Sequence, residues 1–151
     1  MQRFPEYWNS MTAKESEMLN GVGPGWLPSV LHINTIWLLN VKQIANIHDF
    51  MYIRAKDIVE KFLADVIFFK NLRDRIRGAG FPEWLRIRRA VAYFDLVLKL
   101  GDMSVDFSVD LGKRRQEIIY CVRQLGLDTG TDNASCEELR VIINSIIEEH
   151  K

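Results

Sequence analysis

The chain has 151 residues, with 20 Lys plus Arg balanced by 20 Asp plus Glu and a 48% apolar content. One domain with a real core is expected, and the even charge names neither nucleic acid nor a membrane as a partner of the whole molecule. The longest apolar runs are too short to span a bilayer, and Met1-Gln2-Arg3-Phe4-Pro5-Glu6 lacks a signal peptide's apolar stretch, so synthesis in the cytoplasm is expected.

Thr12-Ala13-Lys14-Glu15 reads as a capping box that opens a short helix ending at Asn20-Gly21. Gly21-Val22-Gly23-Pro24-Gly25-Trp26 follows, the one glycine-rich stretch. Residues 27–40 read as irregular or briefly helical. A helix over 41–55 carries the apolar stripe Val41, Ile44, Met51. Asp57 caps a second, long helix with Glu60 at its third position, and Gly78 ends it. Its stripe is Ile58, Phe62, Phe69, Leu72, Ile76. Phe81-Pro82 opens a third helix with Trp84, Ile87, Val91, Phe94 and Leu98 inward, stopped by Gly101. A fourth spans roughly 114–125 and stops at Gly126. Ser135-Cys136-Glu137-Glu138 is a second capping box, opening a last helix with Leu139, Ile142, Ile143, Ile146 and Ile147 inward. No convincing strand appears. The expected fold is all-α: a compact bundle built on an antiparallel two-helix hairpin, in one domain over 1–151.

Two polar residues interrupt the stripes. His48 sits among Val41, Ile44 and Met51, and Asp65 among Ile58, Phe62 and Phe69. A lone carboxylate on an inward face is costly unless something satisfies it. A tight turn centred between Lys56 and Asp57 pairs Met51 with Phe62, Ile44 with Phe69, and His48 with Asp65. A histidine held by a carboxylate is the arrangement a general base needs. The plainer reading of a lone buried histidine is core packing. Tyr52 lies one turn after His48, within reach of Asp65, or simply packs. Asp49 points about 100° around the helix from His48, where most aspartates are merely solvated. The alternating glycines at 21, 23 and 25 can turn backbone carbonyls to one side, a geometry that suits Ca²⁺, although a plain turn explains them too.

Together these residues resemble a family. Asn20-Gly-Val-Gly-Pro-Gly-Trp26 followed by Asn46-Ile-His-Asp-Phe-Met-Tyr52 is similar to the calcium loop and His-Asp-x-x-Tyr helix of the phospholipase A2 superfamily, in particular its small bacterial and phage-encoded members. Asp65-x-x-Phe68-x-x-Asn71 is similar to that family's second active-site helix. The resemblance covers residues 12–105 as a phospholipase A2-like core and leaves 106–151 as a C-terminal helical extension. It implies calcium-dependent hydrolysis of a phospholipid acyl ester. His48 would be the general base, Asp65 would hold its tautomer, and Tyr52 would support Asp65. Asp49 and the carbonyls of Gly21, Gly23 and Gly25 would bind Ca²⁺. Family members often tie loop to helix with a disulfide; Val22 and Ala45 stand at those positions here. Cys121 and Cys136 lie in the last third, and whether they pair is open.

Other readings stay on the page. Lys70, Arg73, Arg75, Arg77, Arg86, Arg88 and Arg89 form a basic run, either a solvated face or a contact for anionic head groups. Trp8, Trp26 and Trp37 either line an acyl-chain slot or an interfacial rim, or pack in the core. A non-enzymatic phage or prophage protein that keeps the fold is the alternative function, with the protein incorporated in a particle or released. A basic adaptor for nucleic acid is the least favoured. The phospholipid substrate or a membrane surface is the expected partner.

Overall fold

The structure, a computed structural model, describes residues 3–19, 35–80, 82–100 and 114–150. A 3-10 turn over Glu6–Ser10 leads into helix α1 (Ala13–Met18). The Thr12 side chain accepts from the Glu15 backbone, and the Glu15 carboxylate accepts from the Thr12 backbone, so both halves of the capping box form. The Gly21–Gly25 loop and the rest of 20–34 lie outside the described residues, as do 101–113.

Strands do occur, against the reading of 27–40 as irregular or helical. β1 (Thr35–Ile36) pairs antiparallel with β2 (Leu39–Asn40) around Trp37-Leu38. Both turn residues have positive φ, 46° and 65°. A two-residue hairpin turn requires that backbone, which normally selects Asn-Gly. Trp-Leu gives no such signal, so the sequence hides the turn. Leu38 is 96% exposed at its tip.

Helix α2 (Lys42–Arg54) follows directly, and α3 (Ile58–Ile76) after residues 55–57. Asp57 caps α3 by accepting from Glu60 N, and Glu60 reaches back to Lys56 N. Gly78, at φ 74°, turns the chain out of the helix. Next come α4 (Glu83–Leu100), α5 (Arg115–Leu127), a 3-10 turn at Thr129–Thr131 and α6 (Cys136–Glu149), the last opened by a complete Ser135/Glu138 capping box. The described chain is therefore mostly helical, with six α-helices and one small two-stranded sheet. None of these helices is long and apolar enough to cross a membrane.

α3 is the hub. It packs against α2, α4, α5 and α6 and is buried around most of its circumference. Phe62, Phe69, Leu72 and Ile76 fill the core with Phe94 of α4 and Ile143 of α6. The Phe69 and Phe94 rings stack with centroids 4.8 Å apart. Each such ring contributes about 1.5–3 kcal/mol by leaving water. A helix covered on all sides forces its polar residues to find partners, which is why the polar chemistry of this protein hangs on α3.

Two expectations are corrected. Trp84 is 65% exposed: in the first turn of α4 it is Arg86 that turns inward, donating to Ala79 O and Trp37 O. Gly126 does not stop α5, which continues to Leu127. A Cβ there would stand 2.5 Å from the Phe94 ring. The glycine is a contact point between α4 and α5, not a helix end. Cys121 and Cys136 are both free thiols.

Candidate active site

His48 is in the middle of α2, and its ring is pressed between Tyr52 and Phe68, with centroids at 4.4 and 4.8 Å. Asp65 is on α3 and fully buried. His48 Nε2 lies 2.9 Å from Asp65 Oδ1, a hydrogen-bond distance. The Tyr52 hydroxyl donates to the same oxygen at 2.7 Å. The structure thus brings His48, Tyr52 and Asp65 to one point. An ionised Asp65 can only accept, so a neutral His48 donates through Nε2 and leaves Nδ1 with its lone pair. Nδ1 lies 3.8 Å from Asp49 Oδ1.

One participant escapes the sequence reading. Lys61 Nζ sits 2.9 Å from Asp65 Oδ2, off the best hydrogen-bonding direction, and both side chains are completely buried. The ammonium also donates to Leu98 O at 3.3 Å, at the far end of α4, and lies over the Phe62 ring. The signal was available: Lys61 and Asp65 are i and i+4 on one helix. A lysine in a helical pattern is normally read as solvated, and only the covering of α3 on all sides reverses that. Asp65 therefore serves three donors with two oxygens, and its charge is compensated without a protonated histidine.

These neighbours set the titration of the pair. Burial works to raise the Asp65 pKa, but Lys61 and then His48 and Tyr52 hold it below the ordinary 3.8. Burial likewise works to lower that of His48, and the Asp49 and Asp65 carboxylates hold it above the ordinary 6.5. Desolvation and charge oppose each other at both groups, and charge wins.

Asp49 is partly buried, its side chain 19% exposed. Among the described residues no lysine or arginine neutralises it, so a hard oxygen ligand stays available beside His48 Nδ1. Among the same residues no three His, Cys, Asp or Glu side chains converge as a metal site. Gly21, Gly23 and Gly25 lie outside the described residues, as do Val22, Trp26 and His32. Ala45 is buried in α2.

Asn71 does not join the site. It is buried and clamps the N-terminal segment, donating to Arg3 O at 2.9 Å and accepting from Arg3 N at 2.6 Å. Trp8 packs edge-on against Phe50, and Trp37 occupies the hairpin turn. His150 caps its own helix through Ile146 O. The basic run of 70–89 is not one face. Lys70, Arg73 and Arg86 are buried and bonded, Arg77 pairs with Asp132, and Arg89 packs on Tyr93 and Trp37; Arg75 and Arg88 face solvent. No protein-family model, no curated protein and no solved structure matches this chain.

Proposed function

We propose that this chain hydrolyses a phospholipid acyl ester in a calcium-dependent reaction, on an antiparallel α2–α3 hairpin, with His48 as general base. One observation carries the reading: the buried carboxylate of Asp65 takes the Nε2 side of His48, so the free Nδ1 stands beside Asp49. A base whose tautomer is fixed from behind is poised to take a proton in front.

In this reading a water held at Nδ1 gives its proton to His48 as its oxygen attacks the ester carbonyl carbon. The imidazolium, steadied by Asp65, then returns the proton to the departing alkoxide as the carbon–oxygen bond breaks. A fatty acid and a lysophospholipid leave. Tyr52 keeps Oδ1 of Asp65 aligned by its own hydrogen bond. Lys61 keeps Asp65 ionised throughout, so the carboxylate orients the imidazole and does not accept its proton. The hard carboxylate oxygen of Asp49 fits a calcium ion, and the carbonyls of Gly21, Gly23 and Gly25 would hold the ion with it. An ion bound there would supply positive charge for the developing oxyanion.

A second reading has one observation in its favour. The fully buried Lys61–Asp65 ion pair gives Asp65 a structural partner independent of any reaction. In that reading the polar group is a lock in the core of a non-enzymatic phage or prophage protein. A hydrolysis assay on phospholipid vesicles and mixed micelles, with calcium and with a chelator, separates the two. Calcium-dependent release of fatty acid supports the enzyme; no release on any substrate supports the lock.

A further inference from the structure

The hairpin ahead of α2 gives up local preference to place two apolar side chains at its tip. Trp37 and Leu38 both hold positive φ, where these side chains are strained and glycine or asparagine would sit freely. Leu38 is nonetheless almost wholly exposed, and Trp37 is half-exposed. Two arginines of α4 hold the tip. Arg86 donates to Trp37 O at 3.0 Å and to Ala79 O at 2.9 Å, which ties the turn to the chain between α3 and α4. The Arg89 guanidinium lies over two rings, 5.6 Å from the Trp37 centroid and 5.3 Å from that of Tyr93, and Nε donates to the Tyr93 hydroxyl at 2.7 Å. Arg89 is itself exposed, and among the described residues no carboxylate pairs with it. The local charge has one sign. Residues 35–48 contain Lys42 and no carboxylate, and residues 84–94 contain Arg86, Arg88 and Arg89 and no carboxylate. A bare leucine beside Trp, Tyr and an unneutralised arginine has the chemistry of a bilayer boundary. Leucine enters the acyl region, Trp and Tyr rings sit at headgroup level, and arginine meets lipid phosphate. A protein partner fits less well. A stable protein interface takes about 800 Å² from each side, and a two-residue tip offers a fraction of that.

We infer that the Trp37–Leu38 hairpin is a docking finger for an anionic lipid bilayer, with Leu38 inserted and Arg89 on a lipid phosphate. The finger goes beyond the hydrolytic reading, because docking needs neither His48 nor calcium. The strain at the two positive-φ residues is the cost of an apolar tip that asparagine and glycine could not supply.

Co-sedimentation of the full chain with phosphatidylglycerol or phosphatidylcholine vesicles tests it, in buffer with a chelator so that no lipid is cleaved. Retention on phosphatidylglycerol is expected, weaker on phosphatidylcholine, and falling as salt is raised. Leu38→Asn suits the positive φ, so the hairpin should persist and the melting temperature should not fall. Its retention should drop roughly tenfold or more, the partition of one leucine side chain. Val141→Asn, the same kind of change at an exposed apolar residue of α6, should leave retention unchanged. Arg89→Gln should lower retention on phosphatidylglycerol and flatten its salt dependence. The inference is overturned if the wild type is not retained, if Leu38→Asn is retained as well as the wild type, or if Val141→Asn weakens retention equally. A dimer of the free protein that Leu38→Asn dissociates, with vesicles retaining both forms alike, would assign the tip to a second copy instead. Docking by a protein that hydrolyses nothing would sink the enzyme and spare the finger. Hydrolysis of a dispersed short-chain phospholipid with no retention on vesicles would do the reverse.

Discussion

α3 carries two polar clusters, and they are built in opposite ways. Near its start, one carboxylate, Asp65, gathers His48, Tyr52 and Lys61. Near its end, several cations gather on one carboxylate of the loop before α6. Arg73 and Arg77 pair with Asp132, and Lys70 Nζ lies 3.4 Å from it. Lys70 also donates to Thr131 Oγ1 at 2.8 Å and Asp128 O at 3.0 Å, and Arg73 to Leu127 O. The second cluster spends its donors on the loop that joins α5 to α6. That is a clamp. The first leaves one ring nitrogen over, next to a carboxylate that has no cation of its own among the described residues. Both stabilise α3, but only the first keeps a titratable atom in reserve. Buried charge is thus no sign of function by itself; the leftover group is.

The largest expected effect falls on the first cluster. His48→Ala should lower calcium-dependent phospholipid hydrolysis by about 10²–10⁴, the usual worth of a general base. Its melting temperature should change far less than its rate, since the alanine leaves Asp65 still paired with Lys61 and Tyr52. A parallel loss of rate and stability would erase the distinction between the clusters.

The clamp should respond to Asp132→Ala in the opposite sense. Removing the shared carboxylate leaves Lys70 and Arg73 buried without their counter-charge. Breaking such a pair costs about 3–5 kcal/mol when fully buried, and the partial exposure of Asp132 puts the expected loss near the lower bound. Urea unfolding would measure it, and hydrolysis below the transition should persist. Burial also pushes the Lys70 pKa down to about 8, with Arg73 and Arg3 adding to the effect.

The two partners of the first cluster pull stability in different pH windows. The Asp65 pKa is lowered on folding, so its contribution is full above 3.8 and is lost as pH falls through the folded value. The His48 pKa is raised, so its contribution is full below 6.5 and is lost as pH rises through the folded value. NMR titration of His48 in calcium-free buffer should therefore show a midpoint above 6.5. A midpoint below it would mean that desolvation outweighs the two carboxylates.

The smallest effect belongs to the hairpin ahead of α2. Trp37→Asn with Leu38→Gly installs residues that favour the positive φ this turn already has. The double variant should gain about 1 kcal/mol in thermal unfolding, less what Trp37 loses by leaving Arg89. A loss of stability would show that the Trp37 contacts outweigh the backbone strain.

How much of this the sequence disclosed depended on whether neighbours mattered. The capping boxes at Thr12 and Ser135 and the Asp57 cap were legible because their partners are three residues away. The placement of His48 and Asp65 was legible because each breaks an apolar period. Lys61 was not, because a lysine is inward only when other helices cover it, and that covering comes from α4. Trp37-Leu38 was not, because its strained backbone contradicts local preference. Gly126 was misread for the same kind of reason: its missing side chain answers to Phe94, more than thirty residues away in the chain.

The central claim is that the Asp65 carboxylate works on His48 and not only on the core. Asp65→Asn alone cannot test it, since the amide removes the counter-charge of the buried Lys61 ammonium and the resulting loss of stability would be mixed with any loss of rate. The double variant Asp65→Asn, Lys61→Met removes both charges and keeps the volume. Its melting temperature and its rate of calcium-dependent phospholipid hydrolysis should be measured beside the wild type. The account predicts a near-native melting temperature with hydrolysis down by about 10² or more, because asparagine neither steadies the imidazolium nor fixes its tautomer. Wild-type turnover in the folded double variant, or no hydrolysis by the wild type itself, would contradict it.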